Sequence, residues 1–164
     1  MSYINPSPGV AASQIIVKLD CGQALGNLTL GGSPLTVPAL QNITINASND
    51  VFTWSQLDST AKKSIATTST NSLSMNIVVD NDTFFGSNLT AAQSDTVAQQ
   101  GVFGLSRNKT LVTFSIRADG SDATYIKGQG YVTGVAPAIT AEQPVWVTPL
   151  NIAVTGEYTT SATA

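Results

Sequence analysis

The sequence predicts an all-β domain, a β-sandwich or half-barrel, with one short flanking α-helix. Three observations carry that expectation. Apolar residues alternate with polar ones over several short runs, which is the two-residue period of a half-buried strand. Turn residues punctuate those runs at close intervals. Only one stretch has helix-forming composition with start and stop signals, and it is weakly apolar.

Taken in order, residues 1–12 contain Pro6, Pro8 and Gly9 and read as an extended arm. Gln14 to Asp20 is β-branched and reads as a strand. Cys21 to Pro38 is rich in glycine and short polar residues, with a candidate hairpin turn at Gly31-Gly32-Ser33. Pro34 and Pro38 confine any strand there to a sheet edge. Leu40 to Ala47 alternates, and Val51 to Trp54 continues it after a break at Ser48-Asn49-Asp50. Ser55 to Thr70 is polar and reads as a long loop or an extended hairpin. Leu73, Met75, Ile77 and Val79 then mark a strong strand.

Thr90 and Gln93 have capping-box spacing ahead of Ala91 to Gln100, and Gly101 is placed to end that helix. Leu111 to Ile116, Tyr125 to Val135, Val145 to Val147 and Leu150 to Tyr158 supply the remaining strands. Pro144 and Pro149 read as breaks, Asp119 to Asp122 as a turn, and residues 159–164 as a tail. The expected total is about eight to ten strands around one core domain, 13–158.

Composition narrows the function. The chain has 164 residues, enough for one domain with a real core. Charged residues make up only 10%, against about 25% in a typical soluble domain. The surface is therefore largely Ser, Thr, Asn, Gln and Gly, which costs little to desolvate against a neighbour. The net charge is −3 and the seven basic residues are scattered, apart from Lys62-Lys63. Tight nucleic-acid binding needs a basic stripe, so none is expected. The first nine residues do not read as a secretion signal, and no apolar run approaches the roughly 20 residues of a membrane span.

Catalytic chemistry finds little support. The chain has no histidine, the commonest general base, and one cysteine, Cys21, which has no histidine to activate it. No zinc-type cluster exists, and no cofactor is implied. Asp80-Asn81-Asp82 and Asp119-Gly120-Ser121-Asp122 lack the ligand series of a calcium loop and read as turns. Gly128-Gln129-Gly130 precedes a strand instead of opening a helix, so close packing or a bulge explains it better than a phosphate cradle. Trp54 and Trp146 read as core or interface anchors, with a sugar-binding platform as the alternative.

The order of these elements resembles the major tail (tail-tube) proteins of long-tailed bacteriophages, and more distantly the tube subunits of type VI secretion systems. The resemblance rests on Val51-Phe52-Thr53-Trp54, the polar stretch with Lys62-Lys63-Ser64, the alternating strand at 73–79 and the short helix. It rests most on the ending, Gly128 to Thr133 followed by a strand closing in Thr155-Gly156-Glu157. It implies a tail-tube-like domain, not an enzyme, whose six copies join their sheets into a ring, with rings stacked into a tube that passes DNA without gripping it. It implies contact between rings through Asn49 to Asn71, centred on Thr53, Trp54, Lys62, Lys63 and Ser64, and through the terminal segments. It further implies tape-measure, tail-terminator and baseplate or tail-tip proteins as partners, no membrane, assembly in a host cytoplasm, and a final place in the virion tail. Deleting Ser55 to Thr70 is expected to spare the fold and block stacking. The alternatives are a capsid decoration protein, another tail assembly part, or a carbohydrate-binding β-sandwich module.

Overall fold

The computed structural model describes residues 15–37, 40–118, 124–142 and 145–163. The elements run β1 (Ile16–Cys21), β2 (Leu35–Thr36), β3 (Leu40–Ser55) and β4 (Lys62–Val78), then a single wide helical turn, Asn81–Phe85. After it come α1 (Val97–Arg107), β5 (Leu111–Ala118), β6 (Thr124–Val135) and β7 (Val147–Ser161). The seven strands form one antiparallel sheet in the order β2-β1-β5-β6-β7-β4-β3.

The core lies on one face of this sheet. Val17 and Leu19 of β1, Val112, Phe114 and Ile116 of β5, Leu73, Met75 and Ile77 of β4, and Leu150 and Ile152 of β7 share one buried cluster. Strands from both halves of the sheet therefore meet over a common interior, the half-barrel form of the expected architecture. Phe84, Val97, Val102 and Leu105 cover the cluster from the wide turn and α1. Two glycines permit close approach at the centre. A Cβ on Gly128 would stand 2.6 Å from the Phe114 ring, and one on Gly130 would stand 2.3 Å from the Ala153 carbonyl oxygen. Beside them the pairing of β6 with β7 shifts register between Lys127 and Gln129. The packing-and-bulge reading of this glycine pair is what the strands show.

Several sequence expectations change. Seven strands are described, not eight to ten, because short runs merge. The break at Ser48-Asn49-Asp50 is a bulge inside β3–β4, where Thr67 and Thr68 both face Asp50. Thr68 Oγ1 donates to Asp50 Oδ2 at 2.8 Å and Thr67 Oγ1 to the Asp50 carbonyl at 3.2 Å. The hydroxyls replace the lost ladder bonds. Pro149 does not break β7: it pairs with Asn76 of β4, and Thr148 Oγ1 accepts from the Ala136 N–H beside it. Thr159 to Ser161, expected as tail, pair with Lys127 to Tyr125 of β6.

No strand forms at Leu28 and Leu30. Residues 22–34 are a loop returning to β2, which pairs with β1 at Lys18 and Leu19. The side-chain amide of Gln129 holds it: Gln129 Nε2 donates to the Ala24 and Asn27 carbonyls, each at 3.0 Å, and its Oε1 accepts from the Gly26 N–H at 2.7 Å.

The helix starts later than expected. Thr90 sits in a turn closed by Asn88 Oδ1, and Gln93 reaches the Lys109 carbonyl. The same sequence spacing recurs at Thr96 and Gln99, where Gln99 Oε1 accepts from the Thr96 N–H at 3.0 Å. Gly101 does not end the helix. Its φ of 64° kinks α1 against Gly86, whose φ is 77°, and a Cβ on Gly101 would lie 2.3 Å from the Gly86 nitrogen. Burial of Val102 and Leu105 beyond the kink carries the helix to Arg107. Asp80-Asn81-Asp82, read as a plain turn, opens the wide turn, with Asp80 Oδ2 accepting from the Thr83 N–H. The arm at 1–12 and the turn at 119–122 lie outside the described residues.

Candidate assembly surface

β3 and β4 pair along nearly their whole length, from Leu40 opposite Ile77 to Ser55 opposite Lys62. Their proximal halves belong to the core sheet. Their distal halves do not, because β7 pairs with β4 only as far as Asn71 opposite Val154. Beyond that point the hairpin is a two-stranded ribbon, and among the described strands nothing pairs with its outer edges. The stretch read as loop or extended hairpin is thus a hairpin. Its connection is short, Gln56 to Ala61, with the Ser59 N–H donating to the Gln56 carbonyl at 3.2 Å.

The base of the ribbon is fixed by side chains. Asn71 Nδ2 donates to the Gly156 carbonyl at 2.8 Å. The Tyr158 hydroxyl lies 2.7 Å from the Ser72 carbonyl and 3.0 Å from the Asn46 carbonyl, which bridges β4 and β3. Burial raises the Tyr158 pKa, so the phenol remains a donor.

The register brings the expected contact residues together. Thr53 opposes Ser64, their hydroxyls 3.3 Å apart, and Trp54 opposes Lys63, with Lys62 one pair further out. Alternation puts Trp54 and Lys63 on one face, joined by Phe52 and Ile65. Phe52 and Trp54 stack with centroids 6.0 Å apart. The other face carries Val51 and Ala66, Thr53 and Ser64, and Ser55 and Lys62. Val51, Phe52, Leu57 and Ile65 lie inside the expected span Asn49 to Asn71 but were not among its five named residues. All four are exposed, Val51, Phe52 and Ile65 by 55–59%, although a strand in a monomer hides one of its faces. Apolar side chains in water on both faces of a ribbon make it a candidate interaction surface. What hid them is that Val51-Phe52 beside Trp54 is an apolar run that reads as core in sequence, with Ile65 opposite Phe52 only once the hairpin register is known.

Other candidates are inert or peripheral. The Cys21 thiol donates to the Asp95 carbonyl at 3.2 Å, and burial, then the charges of Asp20 and Asp95, raise its pKa away from thiolate. Trp146 is exposed, not in the core, at the opposite end of the sheet, where its carbonyl accepts from the Val79 N–H. Among the described residues, no three His, Cys, Asp or Glu side chains gather as metal ligands, and no helix is long and apolar enough to cross a membrane.

No protein-family model matches this sequence, and no curated protein matches it. Solved structures do match. The SPP1 tail tube superposes with a TM-score of 0.65 at 11% identity, over 92% of this chain and 78% of that one. This chain has the tail-tube fold. The tail of an empty gene transfer agent particle, solved with C6 symmetry, gives 0.64 at 12% identity, over 92% of this chain and 98% of that one. A chain of the anti-feeding prophage baseplate, six-fold symmetrised, gives 0.64 at 14% identity, over 95% and 97%. In this chain the tail-tube fold comes with an outer edge on β3 that is 16 residues long, and with a β2 at the opposite edge of only two.

Proposed function

We propose that this chain is the ring-forming subunit of a tail tube. Six copies join the β3 edge of one to the β1–β2 edge of the next, closing a continuous inner barrel that satisfies the backbone groups an isolated edge leaves open. Rings stack through the projecting ribbon, with Thr53, Trp54, Lys62, Lys63 and Ser64 among the contact residues. The tube passes DNA, and the net negative subunit disfavours adhesion of the phosphate backbone. The role is structural and not catalytic. Assembly takes place in the host cytoplasm, the final place is the virion tail, and the partners are tape-measure, terminator and baseplate or tail-tip proteins.

The observation that carries this reading is the ribbon itself, carrying apolar residues on both faces and extending beyond the core sheet. Light scattering with negative-stain electron microscopy of the purified chain tests it. Rings or hollow tubes of uniform width, at masses of six subunits or multiples of six, are expected. A monomer that binds glycans or capsids and never forms rings would replace the proposal with one of its alternatives.

A further inference from the structure

The strand registers place the ribbon's connection, Gln56 to Ala61, at one end of the sheet. At the opposite end β4 runs out at Val78 into the wide turn Asn81–Phe85, which packs on α1. Between turn and helix lies an open groove. Phe85, Leu89 and Phe103 line it, with Gly104 on the floor and Asp82 on the rim. Leu89 and Phe103 are exposed, and the Phe85 and Phe103 rings stand 6.2 Å apart. Asp80 and Asp82 are both exposed beside this groove. The one cation lining it, Arg107, spends its guanidinium on the Leu89 and Ala91 carbonyls, at 3.3 to 3.4 Å.

The two ends are complementary. The ribbon tip presents Phe52, Trp54, Leu57 and Ile65 with Lys62 and Lys63. The groove presents aromatic and aliphatic walls with Asp80 and Asp82. Matching patches at opposite ends of one molecule make a head-to-tail contact, which repeats without closing and builds filaments.

We infer that the groove between the wide turn and α1 receives the ribbon tip of a second copy in the adjacent ring. This rests on the tube reading above and adds the receiving surface. Apolar contact supplies the attraction, while the lysine–aspartate pairing sets polarity, so that tip meets groove and never tip.

Cross-linking tests it. In a Cys21→Ser background, Leu57→Cys and Leu89→Cys on the same chain should, on mild oxidation, give a ladder of dimers, trimers and larger species. Either cysteine alone finds no thiol across a tip-to-groove contact and should leave the chain uncross-linked. Tubes on the microscope grid with no ladder would overturn the docking and leave the tube reading standing. A monodisperse monomer with no ladder would overturn both. A charge test runs beside it. Lys62→Glu with Lys63→Glu should abolish stacking, as should Asp80→Lys with Asp82→Lys, and all four together should restore it. Four-fold variants that melt like the parent and remain unstacked would also overturn the docking.

Discussion

β4 is one strand with two environments, and the contrast between its halves explains most of this molecule. From Asn71 to Ile77 it alternates strictly, with Leu73, Met75 and Ile77 in the core. From Lys62 to Thr70 every residue is exposed. The first half is held by β7 on one side and β3 on the other, while the second has only β3. Burial of the three core side chains contributes on the order of 1.5–3 kcal/mol each. The distal half adds little to the stability of an isolated subunit. Its exposed apolar residues would contribute only if another subunit covered them, as proposed above.

Substitutions can sharpen this contrast. The largest effect is expected at Gly130, where β6 and β7 approach too closely for a side chain. Gly130→Val should destabilise the fold by about 3 kcal/mol or more, read as a fall in the midpoint of chemical denaturation. Gln129→Leu should cost less, about 2 kcal/mol, because loop carbonyls lose a buried donor that water can partly replace. Hydrogen exchange should then rise across residues 22–30 while the β4–β7 ladder stays protected.

The same contrast explains what could be read from the sequence. Where alternation and burial coincide, as in Leu73 to Ile77 and Leu111 to Ile116, the strands and their core face were legible. The grouping of Thr53, Trp54, Lys62, Lys63 and Ser64 was legible only through a resemblance, because the pairing of β3 with β4 across a bulge leaves no local signature. The helix start was misplaced because Thr90/Gln93 and Thr96/Gln99 share one spacing, and only burial of Val97 and Leu105 decides between them. Gly101 looked like a stop, since a glycine used for close backbone approach and one used to end a helix are the same residue. The groove beside α1 could not be anticipated at all, because it is made by tertiary packing of the wide turn on the helix.

The hairpin register also corrects the expected loop deletion. Removing Ser55 to Thr70 would take away the distal half of β4 and leave its partner in β3 unpaired. The clean cut lies at Asn49 opposite Ser69, joined by an Asn-Gly turn, which removes both strands of the ribbon together. The measurement to make is thermal unfolding of that shortened chain, with electron microscopy of the same sample. A single cooperative transition close to the parent's is expected, with rings that do not stack. Tubes as long as the parent's would contradict that, and so would loss of the cooperative transition.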